Sequence, residues 1–249
     1  MASVAQLPTM LNALVELQKS FCLFKLGGDV WIGDLDALNN WQSGASSELA
    51  LMYRMQAGRL LMERHLETLS VSSDPKKTAS QFFSSPNTHV FDSISFSPKP
   101  TSPTTCNLWV GPQVQPASGD WQEIREFIHD VICNGDITLY RYLVLFLAHM
   151  IQRPEEKPGI MIVLLGGQGT GKGTLFQILK AIWSRTTLLV SDVNNVIGGF
   201  NAAIERNFVL CMDEALFVGD KKAMDRLKSL ITEPTVPRQH QWHRFNVVI

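Results

Sequence analysis

The fold is decided by residues 160–174, Ile-Met-Ile-Val-Leu-Leu-Gly-Gly-Gln-Gly-Thr-Gly-Lys-Gly-Thr. Six uninterrupted apolar residues, Ile160 to Leu165, predict a strand buried on both faces of a parallel sheet. Behind the loop, Leu175, Ile178, Leu179 and Ile182 recur at helical spacing, so a helix is expected over Leu175 to Trp183. A strand, a Gly-x4-Gly-Lys loop and a helix, in that order, form the Walker A arrangement. Glycines let backbone N–H groups curl round phosphates with no Cβ in the way, and the helix start adds its positive dipole end. Lys172 supplies a full positive charge to the β and γ phosphates. A glycine-rich surface turn would need neither the strand before it nor the helix after it. Gly166, Gly167, Gln168, Gly169, Thr170, Gly171, Lys172, Gly173 and Thr174 are therefore the candidate binding residues for ATP.

The residue after the lysine is usually Ser or Thr, whose hydroxyl ligates Mg²⁺. Here it is Gly173, and the hydroxyl comes one position later at Thr174. Either Thr174 serves as the metal ligand or water takes that place. A second apolar run, Phe208 to Met212, predicts another buried strand and ends in Asp213-Glu214. Parallel strands deliver their carboxyl ends to one edge of a sheet, which would bring this pair beside the glycine loop. Asp213 is then the expected Mg²⁺ ligand. Glu214, with Lys172, is the expected catalytic residue, the glutamate orienting and deprotonating an attacking water.

Working outward, the chain has 249 residues, 45% of them hydrophobic and 18% charged, which is enough apolar surface for a real core. No apolar run approaches the roughly 20 residues of a membrane span, and Met1 to Thr9 has no basic signal-peptide region. Lys plus Arg is 22 against 23 Asp plus Glu, so only a local basic patch could meet nucleic acid. Cys22, Cys106, Cys133 and Cys211 form no C-x-x-C pair; they fit a reducing, cytoplasmic setting better than a disulfide framework or a zinc site.

Toward the N-terminus, a short helix is expected over Leu11 to Lys19 and a hairpin over Cys22 to Ile32 about Gly27-Gly28-Asp29. A helix over Ser46 to Leu69 is weakened by Gly58. From Ser70 to Gly119 prolines and hydroxyl residues accumulate, excluding long helices while leaving room for strands at Val90 to Phe96 and Asn107 to Val110. Asp120 and Glu123 read as a capping box ahead of Ile124, Phe127, Ile128, Val131 and Ile132, with Gly135 as the stop. Ile137 to Gln152 is apolar enough to predict a helix buried on most sides. The expected organisation is a mixed α/β accessory domain over 1–105, a linker over 106–119, and a helical lead plus nucleotide-binding core over 120–249.

Several stretches together resemble the phage and plasmid primase-helicase proteins with a superfamily 3 helicase core. They are Cys106 to Gly111, Gly119-Asp120-Trp121, Val163 to Gly173, Gly199-Phe200-Asn201, Met212 to Ala215 and Leu227 to Pro234. The resemblance covers about Phe91 to Ile249. It implies a P-loop NTPase, an AAA+-like parallel sheet, working as a hexamer that hydrolyses ATP to move along single-stranded DNA. It places Lys228 at a basic position of the family and leaves Arg238 and Arg244 as candidate DNA contacts where the family carries a basic hairpin. The family's sensor residue and arginine finger lie beyond the strand expected at Phe245 to Ile249. On that reading the core lacks its C-terminal end, and the chain is expected to be mainly monomeric or weakly associated and slow in hydrolysis.

Two other functions share the glycine loop. A nucleotide kinase would begin near its phosphate loop and lack the Asp-Glu pair, whereas about 160 residues precede this one. A non-hydrolysing ATP-binding assembly or regulatory module would bind nucleotide without using Glu214.

Overall fold

Gly27 and Gly28 have φ of 60° and 91°, the two left-handed positions that a tight two-residue hairpin turn demands. They join strand β1 (Phe21–Leu26) to β2 (Asp29–Asp34), antiparallel in a register running from Phe21 opposite Asp34 to Leu26 opposite Asp29. The computed structural model describes residues 6–46, 49–191, 206–212, 221–232 and 246–248. The chain divides into two compact units, Met1–Ser95 with Thr101–Leu108, and Phe96–Pro100 with Trp109–Ile249.

In the first unit the hairpin is extended by β3 (Met52–Arg54) beside β2 and by β4 (Val90–Phe91) running parallel to β1, in the order β3-β2-β1-β4. Because side chains alternate along a strand, Phe21, Leu23 and Ile32 enter one cluster. It is shared with Ala13 and Leu17 of α1 (Gln6–Ser20), Met62 and Leu66 of α3 (Met55–Leu69), and Ala79 and Phe82 of α4 (Pro75–Ser84). Helix α2 (Leu35–Ser43) is capped by Asp34, whose carboxylate accepts the Ala37 N–H at 2.8 Å, and ends at Gly44 with φ 87°. Its Trp41 donates through Nε1 to the Leu108 carbonyl at 2.9 Å. Two further strands, β5 (Ser93–Ser95) and β6 (Thr105–Asn107), pair in parallel.

Two expectations change here. The helix expected over 46–69 begins only at Met55, because Met52 to Arg54 pair with the free edge of β2. The proline-rich stretch also contains the ten-residue helix α4. Pro75 stands in its first turn, where a missing N–H costs nothing, and Asp74 accepts the Lys77 N–H at 3.0 Å.

In the second unit, α5 (Gln122–Glu126) runs into a π-turn (Phe127–Ile132) and then α6 (Ile137–Gln152). Asp120 accepts the Gln122 N–H at 2.9 Å, but the described helix starts beyond a Trp121 cap that makes no side-chain bond, so the capping box is not formed as expected. Gly135 closes the π-turn with φ 74°, its N–H donating to the His129 carbonyl. The sheet contains β7 (Met161–Ile162), β8 (Thr187–Val190), β9 (Val209–Met212) and β10 (Asn246–Val248), ordered β7-β10-β9-β8 with every pairing parallel. Helix α7 (Lys172–Ile182) follows β7, and α8 (Lys221–Thr232) follows β9.

Trp109, Trp183 and Phe208 form an aromatic group, with ring centroids 4.9 Å apart for Trp109 and Phe208 and 5.3 Å for Trp183 and Phe208. Gln113 ties the segment after Trp109 to the end of α7: its N–H donates to Ile182 O at 2.8 Å, and its Oε1 accepts the Arg185 N–H at 3.0 Å. Residues 106–119, read as a linker from their prolines, thus carry the end of β6 and these two anchoring side chains.

Helix α6 is not buried on most sides. Leu143, Phe146 and Met150 are at most 5% exposed, whereas Leu139, Tyr142 and Leu145 are 56%, 53% and 69% exposed. Likewise only one face of the 160–165 run is packed. Ile162 and Leu164 join the cluster of Ile128, Cys133, Leu143 and Leu175, while Val163 and Leu165 are 52% and 93% exposed. No helix among the described residues is long and apolar enough to cross a membrane.

Candidate functional site: a glycine loop at the start of a helix

The loop from Gly166 to Gly173 joins the 160–165 run to α7. Its glycines are used where a side chain could not be: Gly169 and Gly171 hold φ of 79° and 88°. Gly171 is the cap of α7, with ψ −2°, and its carbonyl accepts the N–H groups of Thr174 at 3.0 Å and Leu175 at 3.2 Å. Gln168 and Gly169 form a turn that brings the Thr170 N–H back to the Gly167 carbonyl; among the described residues no protein acceptor is found for the backbone N–H groups of Gly169, Gly171, Lys172 or Gly173. A run of free donors at a helix start, where the dipole is positive, suits an anion.

Two side chains brace the loop from within. Thr170 Oγ1 donates to Gly167 O at 2.9 Å. Lys172 Nζ donates to the carbonyls of Gly166 and Gly167, both at 2.7 Å, and lies 3.3 Å from Thr170 Oγ1. The ammonium therefore sits in the mouth of the loop that its own chain encircles. Gln168 and Thr174 are exposed, Gln168 at the outer bend and Thr174 in the first turn of α7.

Since β7 and β9 both run parallel to β10, their carboxyl ends lie at the same edge of the sheet. The glycine loop leaves the first, and residue 213 follows Met212 at the end of the second. Val209 to Met212 is buried throughout, and burial pushes the Cys211 thiol up to about 12. Asp213 and Glu214 lie outside the described residues, as do Arg238 and Arg244. Of the metal pair, the structure therefore describes Thr174 alone; of the three basic candidates it describes Lys228, exposed on α8.

One contact with the loop carries no sequence signal of its own. Phe127 and Val131 of the π-turn stand against Gly171: a Cβ added there would meet Phe127 Cε2 at 2.9 Å and Val131 Cγ1 at 3.2 Å. The apolar spacing of 124–132 locates a buried face but not the widened turn or what it touches.

The model of a family of unknown function (DUF5906) matches residues 164–244, a stretch that begins just before the glycine loop. Comparison with curated proteins finds no match. Among solved structures, an A-form apo structure of the NrS-1 C-terminal region superposes with a TM-score of 0.65 at 17% identity, covering 94% of this chain and 55% of that one. An apo structure of the same region (305–718) gives 0.64 at 18% identity, covering 96% and 56%. The chain thus shares its α/β fold with these structures and spans about half their length.

Proposed function

We propose that the second unit binds ATP in the glycine loop and hydrolyses it as a helicase-type ATPase of mobile-element replication. The observation that carries this reading is the loop itself: four backbone N–H groups without a protein acceptor, those of Gly169, Gly171, Lys172 and Gly173, lie at the start of α7 with the Lys172 ammonium held on the carbonyls of Gly166 and Gly167. A polyphosphate needs many donors and positive charge in a small space, and no neutral ligand makes equal use of both. The parallel sheet and the overall fold support the same reading, as does the resemblance of residues 91–249 to primase-helicases.

On this reading the N–H groups hold the β and γ phosphates, and Lys172 exchanges its carbonyl partners for phosphate oxygens. Asp213 and Thr174 would hold Mg²⁺, which supplies further neutralising charge. Glu214 orients the attacking water and takes its proton. Movement along single-stranded DNA belongs to the same proposal, with Lys228, Arg238 and Arg244 as the DNA contacts, while the chain itself is expected to be mainly monomeric or weakly associated.

The test is ATP binding and turnover, each with and without single-stranded DNA. Lys172→Ala is expected to abolish measurable ATP binding, since a charge-assisted contact is lost. Glu214→Gln is expected to bind ATP and leave it unhydrolysed. Unchanged affinity in Lys172→Ala with an intact fold would sink the phosphate-loop reading. Binding without turnover in the parent chain would leave the non-hydrolysing module as the better account.

A further inference from the structure

The glycines of the loop differ in what surrounds them. A Cβ on Gly167, Gly169 or Gly173 would meet nothing within 4 Å, and one on Gly166 would meet only Thr170 of the same loop. Gly171 alone among these five is approached by side chains from elsewhere, and those are Phe127 and Val131. Gly171 also sets the direction of the first free N–H groups of α7, and its φ of 88° belongs to a residue with wide freedom. Glycine-rich backbone loses much entropy when it is fixed, so the shape of this loop depends on its braces: Thr170 and Lys172 act from within at Gly166 and Gly167, and Phe127 and Val131 act from outside at Gly171.

The approaching element is itself well anchored. The π-turn is closed by the Cys133 N–H donating to Ile128 O at 3.0 Å, a bond over five residues. Its Ile128 is buried with Leu143 of α6 and Leu175 of α7, so the turn is fixed to the helix that the loop begins. π-turns are uncommon and are frequently found at functional sites.

We propose that Phe127, seconded by Val131, is a positioning residue for nucleotide binding: its ring stops Gly171 from behind and holds the loop's N–H groups in the orientation that phosphate requires. This rests on the ATP-binding reading and adds to it a residue 45 positions before Lys172 in the chain. The ring acts on the phosphate-binding backbone, so its effect follows the phosphates and is indifferent to the base.

The test uses the full chain, titrated calorimetrically with ATP and, separately, with inorganic tripolyphosphate. Phe127→Ala is expected to weaken both ligands by the same factor, about tenfold, since one backbone residue must then be ordered on binding. Phe127→Leu, which still fills the space behind Gly171, is expected to restore most of the affinity for both. Val131→Ala, at a half-exposed position, provides a milder perturbation, a two- to threefold loss for both ligands, should Phe127→Ala fail to fold. Loss confined to ATP, with tripolyphosphate unchanged, would overturn the proposal in favour of a contact with the base. Unchanged affinity for both in folded Phe127→Ala would overturn it outright. A parent chain that binds neither ligand would instead remove the ATP-binding reading beneath it, a result recognisable because no variant is needed to obtain it.

Discussion

Gly58→Ala should destabilise the first unit, although alanine is the better helix former. Gly58 lies in the interior of α3, where the exchange alone would gain about 1 kcal/mol from propensity. The position faces β2 at close range: a Cβ would sit 2.6 Å from both Cβ and Cδ1 of Ile32, and 3.1 Å from its Cγ1. Rotating Ile32 relieves Cδ1 but not Cβ, which is fixed by the strand backbone. The helix must therefore retreat from β2 by close to an ångström to reach ordinary contact. Met62 and Leu66, both 0% exposed, travel with it. A gap of about 0.5–1 Å forfeits a quarter to a half of each contact's attraction, and overpacking of this kind costs about 1–3 kcal/mol. Because the clash includes the fixed Ile32 Cβ, the cost falls in the upper part of that range, about 2–3 kcal/mol, and less the propensity gain it leaves a net loss of about 1–2 kcal/mol. Urea unfolding followed by peptide-resolved hydrogen exchange reads this directly. Protection should fall across α1, α3 and β2 while the peptides of α7 keep theirs. A neutral or stabilising result would refute the close approach and restore the view of Gly58 as a plain weakness in the helix.

Asp136 accepts the N–H groups of Thr138 at 2.7 Å and Leu139 at 3.1 Å at the start of α6; Asp136→Ala should cost about 1 kcal/mol and Asp136→Asn much less, as read from exchange protection in the first two turns. Burial pushes the thiols of Cys22 and Cys106 up to about 12, as it does for Cys211. An unfolded thiol ionises near 9, so the stability these groups contribute is complete below about pH 9 and is lost as pH climbs toward 12, at up to about 1.4 kcal/mol per pH unit for each. The urea midpoint should fall steadily above pH 9, and a flat profile to pH 11 would contradict it. For single-stranded DNA, contacts from Lys228, Arg238 and Arg244 correspond to a slope near −2 in log affinity against log salt, or about a twentyfold loss between 50 and 200 mM. Neutralising the three should flatten that slope, and binding that ignores both salt and these substitutions would exclude them.

The sequence announces the glycine loop because three constraints coincide there: an apolar run, glycines at positive-φ positions and helical spacing beyond. The hairpin of Phe21 to Asp34 is legible for a related reason, since Gly27-Gly28 serves one turn type. Packing is where the reading stops. Nothing local says that Met52 to Arg54 should leave a helical pattern to pair with β2; that follows from the open edge of a strand 20 residues earlier. Nor does hydropathy distinguish a helix buried on all sides from α6, which is apolar all round but buries only the Leu143, Phe146 and Met150 side. Gly58 and Gly171 look alike in the sequence as glycines next to helix formers. One admits Ile32 of a strand and the other Phe127 of a π-turn, and neither neighbour is near in sequence. For the candidate site, the donor loop is legible and its support is not.

The order of the parallel sheet has a consequence for how this protein is made. β10 lies between β7 and β9, so Val247 bonds across to Met161 on one side and to Leu210 on the other. Among the described residues, the strand that precedes the glycine loop and the strand that precedes Asp213 are joined by hydrogen bonds only through residues 246–248. During synthesis the ribosome releases β7, β8 and β9 first, and only β8 and β9 can zip together as they emerge. Closing the long loop from 161 to 247 carries an entropy cost that no local pairing offsets beforehand. On the ATP-binding reading, a nascent chain stalled before residue 246 should then bind nucleotide more weakly than the finished chain, even though every residue of its glycine loop has been translated.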